Sequence, residues 1–143
     1  MRELKRLLKL LTETPGVSGA EEKVRDLIVA EVKESCFGLR EDSLGNLVAC
    51  AGKADGYKVA IYAHMDEVGL IVRRVSPGGM IYFDVVGAID DRILLGSTME
   101  IISTSGQPVT AVIGNKSRHL QTSSDLCAEV SHKMLTMDVG ARS

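Results

Sequence analysis

The reading of the fold turns on Lys58-Val59-Ala60-Ile61-Tyr62-Ala63-His64-Met65-Asp66-Glu67. Its first six residues form a small-apolar run of strand length, the pattern of a strand covered on both faces, as in parallel sheets. That run predicts a strand over 58–63 that delivers the chain directly into His64-Met65-Asp66-Glu67. In an extended segment residues i and i+2 point the same way, so His64 and Asp66 share a face and Glu67 points away. Open α/β sheets place ligand sites outside the carboxyl ends of their strands. A histidine beside a carboxylate at such a place suits a metal ligand with a partner that fixes its tautomer. Two roles stay open for Asp66, as orienter of the imidazole or as a second ligand. A hydrogen-bonded structural histidine is the plainer alternative for the same pair.

On the amino-terminal side, Leu4, Leu7, Leu8 and Leu11 fall on one face of a helix predicted over Met1–Thr12. Glu3, Glu13 and the shortness of the segment favour a helix docked on a core over one lying on a membrane surface. Thr14-Pro15-Gly16 stops it, because Pro15 cannot continue the backbone ladder. Ser18 stands three residues before Glu21, the spacing of a capping box. A second helix is expected from there to about Ser35, with Val24, Leu27, Ile28 and Val32 as its apolar stripe. Short strands follow over Leu39–Asp42 and Asn46–Ala51, joined by a turn at Leu44-Gly45-Asn46.

Beyond Gly69 the pattern changes to hairpins. Leu70–Val75 and Met80–Val86 flank Ser76-Pro77-Gly78-Gly79; Ser97–Ser103 and Val109–Gly114 flank Thr104-Ser105-Gly106-Gln107-Pro108. Leu135–Val139 reads as a last strand, and Ser123–His132 as the one candidate for a short helix. The expected organisation is therefore two units, an α/β start over residues 1–68 and a β-rich, barrel-like module over 69–143.

Bulk properties narrow the function classes. With 45% hydrophobic and 25% charged residues the composition is that of a globular protein. A net charge of −2 and 3% aromatic residues, with no Trp, give no footprint for nucleic acid. No apolar run approaches the ~20 residues that span a bilayer, and the first residues lack a signal-peptide pattern, so the default expectation is a cytoplasmic protein without membrane partners. Cys36, Cys50 and Cys127 are far apart, without metal-type spacing, and read as free buried or half-buried thiols. Asp90-Asp91 reads as a solvated acidic pair, and His119 and His132 as structural or interfacial residues.

Several segments taken together resemble the tetrahedral aminopeptidase family, the glutamyl and deblocking aminopeptidases. They are Leu10-Leu11, Pro15-Gly16-Val17-Ser18-Gly19, Glu21-Glu22-Lys23-Val24-Arg25, Asp42-Ser43-Leu44-Gly45-Asn46-Leu47 and Ala63-His64-Met65-Asp66-Glu67-Val68-Gly69. Further on come Arg92-Ile93-Leu94-Leu95-Gly96, Val112-Ile113-Gly114, His119-Leu120 and Asp138-Val139-Gly140-Ala141. None is diagnostic alone; their order and spacing carry the resemblance.

The resemblance implies a metal-ligand role for His64 and an orienting, catalytic-site role for Asp66. It implies two divalent metals per complete site, zinc first, with cobalt or manganese as alternatives, activating a water for attack on a peptide bond near a free N-terminus. It implies peptide substrates, and homo-oligomers built from dimers, up to tetrahedral dodecamers. Residues 1–68 would then be the start of the catalytic domain, and 69–143 most of an inserted dimerisation module. The family's remaining ligands follow that module, so this chain supplies only His64, where a catalytic zinc takes three protein ligands. The expectation is an incomplete aminopeptidase, inactive alone, whose residues 1–68 are either poorly stable alone or covered by a partner chain. The competing expectation is a non-catalytic assembly protein that pairs through the β-rich module, and the plainest is an α/β domain with a structural His64.

Overall fold

The computed structural model describes residues 1–53 and 55–141. The chain is a mixed α/β protein that divides into two compact units, Met1–Glu67 and Val68–Ser143.

The first unit opens with α1 (Arg2–Glu13) and α2 (Glu22–Val32), followed by a hairpin of β1 (Gly38–Glu41) and β2 (Leu47–Cys50). The two helices are joined by Arg6, whose guanidinium reaches Glu31 of α2 at 2.7 Å and Glu3 of its own helix at 2.7 Å. In the hairpin, Gly38 pairs with Cys50 and Glu41 with Leu47. Its turn is built by Asp42: one carboxylate oxygen accepts from the Leu44 and Asn46 backbone N–H groups at 2.9 Å. Gly45 takes φ +84°, a conformation that side chains with a Cβ rarely adopt. Arg25 of α2 anchors the hairpin through Glu41 at 3.1 Å.

Little is buried in this unit. Val24 is its one buried hydrophobic residue among those described. The leucine stripe of α1, expected to dock on a core, has no buried member, and Leu4 is 70% exposed. The expected strand over 58–63 is not formed either: among the described residues the segment pairs with no neighbour, and Val59 and Ile61 are 86% and 92% exposed. The physical reason is that a doubly covered strand is completed by flanking strands and helices, and the described residues place none beside it. The capping box expected at Ser18 is also absent. Here α2 starts later, with Glu21 at its N-cap position and no side-chain cap, while the Glu21 carboxylate accepts from Gly19 N–H at 2.8 Å.

The second unit is a five-stranded antiparallel sheet of β3 (Gly69–Val75), β4 (Ile81–Val86), β5 (Thr98–Ile102), β6 (Pro108–Asn115) and β7 (Leu135–Asp138), in the order β3-β4-β7-β6-β5. The β3–β4 turn is closed by Ser76 N–H to Met80 O at 2.8 Å, and Gly79 takes φ +83°. Cross-strand pairing there is reinforced by Arg74, which lies 3.5 Å over the Tyr82 ring. The last strand enters the middle of the sheet, pairing Ile81↔Met137 on one side and Ile113↔Met137 on the other.

Period-2 alternation places Ile81 and Phe83 of β4, Ala111 and Ile113 of β6, and Leu135 and Met137 of β7 in one buried cluster. Leu94 joins it from the turn after the 3₁₀ segment Asp91–Ile93. The 123–132 helix expectation shrinks to α3 (Ser123–Cys127), which has a true capping box between Thr122 and Asp125. The three cysteines are free, as expected, but Cys50 and Cys127 are exposed rather than buried.

Because β7 closes the core from both sides, Leu135→Ala or Met137→Ala should lower the urea-unfolding stability of the second unit by about 2–5 kcal/mol, and Leu4→Ala by less than about 0.5 kcal/mol. Equal effects at the two places would contradict this burial pattern. In amide hydrogen exchange, residues 57–63 should exchange at nearly the unstructured rate while β4, β6 and β7 stay protected; protection of 57–63 in the isolated chain would show a pairing that this fold lacks.

Candidate functional site

The segment after the exposed run is held by the loop between α1 and α2. Glu67 N–H donates to Gly16 O at 2.8 Å, and Gly16 N–H donates back to the Glu67 carboxylate at 3.0 Å. Val17 and Glu67 form an isolated parallel bridge. Gly16 is needed for this approach: a Cβ there would stand 2.5 Å from Val24 Cγ2. Glu67 is thereby spent on the loop, turned away from His64 as its alternation on the segment requires. Beside these contacts lies a shallow cavity of about 220 Å³, lined by residues that include Leu11, Thr14, Val24, Met65 and Asp66.

The i, i+2 geometry brings His64 and Asp66 together. His64 Nδ1 lies 3.1 Å from Asp66 Oδ1 and 2.9 Å from the Asp66 backbone carbonyl. The imidazole side chain is 85% exposed and Asp66 only 39%. The second Asp66 oxygen, Oδ2, accepts a hydrogen bond from the Ser18 hydroxyl. This hydroxyl is the first cause holding the Asp66 carboxyl below the usual carboxylate range; desolvation opposes it, and the His64 imidazole adds to the lowering. Two acceptors on Nδ1 select the tautomer with the proton there, which leaves the lone pair on Nε2. Sequence reasoning missed Ser18, because its three-residue spacing from Glu21 pointed to a helix cap.

Nε2 of His64 fits the part of a single imidazole ligand to a divalent metal. Among the described residues no group of three or more His, Cys, Asp or Glu side chains is arranged to hold a metal ion, so these residues do not build a metal centre by themselves.

Asp90 is exposed, as the sequence suggested, whereas Asp91 is half-buried and engaged by a distant segment. Asp90 caps the 3₁₀ segment Asp91–Ile93 and grips Arg92, which lowers its carboxyl to about 2. Asp91 accepts from the His132 backbone N–H at 2.8 Å and lies 2.9 Å from its ring Nδ1. On the other side of the ring, Nε2 is 3.8 Å from Asp84, which pairs with Arg73 at 3.2 Å. His132 therefore fastens the 3₁₀ segment His132–Met134, just before β7, to the sheet. His119 lies exposed on the 3₁₀ segment Arg118–Leu120.

The segment that ends in the oriented His64 is followed by an antiparallel module with its own core. The chain belongs to the M42 glutamyl aminopeptidase family, whose sequence model matches residues 45–143. It is 34% identical over 134 residues to the putative aminopeptidase SgcX of Escherichia coli K12, covering 92% of this chain and 36% of that protein. A TET aminopeptidase structure from Thaumarchaeota archaeon SCGC AB-539-E09 superposes with a TM-score of 0.91 at 27% identity, over 99% of this chain and 39% of that one. The TET1 peptidase of Pyrococcus horikoshii, described as assembling into a tetrahedron or a large octahedral shell, gives a TM-score of 0.81 at 34% identity, over 96% and 41%. The chain thus spans well under half the length of the relatives it matches. No helix among the described residues is long and apolar enough to cross a membrane.

The His132 backbone N–H is the first cause holding the Asp91 carboxyl below its ordinary value, and the His132 ring adds to it. A carboxyl depressed in the folded state stabilises the fold above its unfolded pKa, and that stability is lost as pH falls through the lower, native value. Thermal unfolding followed downward from neutral pH should show an acid-side loss that is shallower in Asp91→Asn than in the parent chain. Parallel acid limbs for the two proteins would remove Asp91 from this role.

Proposed function

We propose that this chain carries the first metal-ligand corner of a dinuclear metallo-aminopeptidase that removes N-terminal residues from peptides in the cytoplasm. His64 is the ligand, through Nε2, and Asp66 orients it. The observation that carries the reading is the commitment of His64 Nδ1 to Asp66, which leaves the other ring nitrogen on an exposed side chain. Residues 1–68 act as part of the catalytic domain, and 69–143 as a dimerisation-type insertion. Bound at a completed site, two divalent ions, zinc in the first place and cobalt or manganese as alternatives, would polarise the scissile carbonyl and generate a nucleophilic water. The chain's own contribution is to present one imidazole in a fixed tautomer.

A second reading rests on the distribution of the core. Among the described residues, seven of the eight buried hydrophobic ones, all but Val24, lie in the second unit, which is therefore equipped to fold and to pair as an assembly module without any hydrolysis. The tetrahedral or octahedral assembly of the Pyrococcus horikoshii relative supports a homo-oligomeric role for this module under either reading.

The test is hydrolysis of an aminoacyl-anilide panel with zinc, cobalt or manganese, by the chain alone and with a polypeptide supplying the rest of the relatives' length. Release is expected only from the mixture. In the mixture, His64→Ala should abolish it and Asp66→Ala should lower it about 10–100-fold. Hydrolysis by the chain alone, or an active His64→Ala mixture, would refute the first reading. A mixture that forms stable oligomers and hydrolyses nothing would establish the second.

A further inference from the structure

We propose that Ser18 is a positioning residue for His64, its hydroxyl holding Asp66 in the rotamer that places the imidazole proton on Nδ1 and the lone pair on Nε2. The inference rests on the reading of His64 as a metal ligand and extends it to a residue on a different segment.

The geometry forms a relay with one partner at each step. Asp66 offers Oδ1 to His64 Nδ1 and Oδ2 to the Ser18 hydroxyl, so the two oxygens face different groups. The imidazole is 85% exposed, and both of its Nδ1 contacts are to Asp66. Whatever fixes the ring therefore acts through Asp66. Ser18 is in turn fixed by contacts that do not involve Asp66. Before it, Gly16 is bonded in both directions to Glu67 and packed against Val24. After it, Ala20 N–H closes a turn onto Val17 O at 2.8 Å, and Gly19 N–H is held by the Glu21 carboxylate. The loop thus presents one hydroxyl from a braced backbone to the one carboxylate oxygen that His64 leaves free.

The Asp66 backbone carbonyl also lies within reach of Nδ1, and it would hold the ring without any help from Ser18. The experiment must therefore separate the two. The readout is the ratio of Nδ1–H to Nε2–H forms of His64 in the full 143-residue chain. It is read from imidazole nitrogen chemical shifts, without metal, at a pH where the ring is neutral. Ser18→Thr and Ser18→Val have nearly the same shape and differ in the hydroxyl, so comparing them isolates that group. The Nδ1–H form is expected to dominate in the parent chain and in Ser18→Thr. In Ser18→Val the ratio should fall by about tenfold, the scale of one hydrogen bond to a charged group. Amide shifts of Gly16 and Glu67 report whether the loop stays docked. Equal ratios in the Thr and Val variants overturn the proposal and assign the tautomer to the backbone carbonyl. Undocking of the loop in Ser18→Thr also overturns it, because the site would then require a small side chain rather than a hydroxyl. Since the readout contains no metal, a positive result beside an active His64→Ala mixture would leave the relay standing and remove only the ligand role.

Discussion

The second unit depends on the entry of β7 between β4 and β6. Four residues, Leu135–Asp138, connect two otherwise separate hairpins into one sheet. Their inward side chains, Leu135 and Met137, are among its most buried. Without β7, the edges of β4 and β6 would face each other across a strand-wide gap, with backbone donors and acceptors unpaired along both. The fastening of His132 between Asp91 and Asp84 belongs to the same constraint. It ties down the approach to β7, where the chain comes from the long excursion after β6.

The first unit is organised by polar contacts rather than by a core. Arg6 with Glu31, Arg25 with Glu41 and the Gly16–Glu67 pair of hydrogen bonds bring its segments together around a single buried valine. Exposed ion pairs contribute little stability each, and the geometry at His64 is set by local hydrogen bonds rather than by a core. Most of the unit's apolar side chains on α1 and on residues 57–63 stand exposed. The relatives are more than twice as long as this chain.

Much of the architecture could be read from the sequence because its signals are local. Ser76-Pro77-Gly78-Gly79 and the Gly106 turn specify hairpins through backbone preferences that no distant residue alters. What could not be read were relations between distant segments. Nothing in Leu135-Thr136-Met137-Asp138 states that it pairs on both sides. The run Lys58–Ala63 has the composition of a buried strand, but being buried is a property of its neighbours, and the described residues provide none. At the site, the closeness of His64 and Asp66 followed from strand alternation alone. The Ser18 contact did not, because Ser18 had a plausible local partner in Glu21, and only the three-dimensional path of the loop decides between helix cap and Asp66. Asp91 and His132 were read separately for the same reason: they are 41 positions apart.

The exposed run at 57–63 also bears on how this polypeptide behaves at high concentration. Tyr57-Lys58-Val59-Ala60-Ile61-Tyr62-Ala63 is rich in β-branched and aromatic residues, has no proline and carries a single charge. Extended and unpaired, it has the composition of segments that stack into cross-β fibrils. The residues whose composition suits the inside of a sheet are here a template for self-templated aggregation. Lys58 is the only gatekeeper charge along the run. Its side of the balance is solubility, which along this run rests on that one charge.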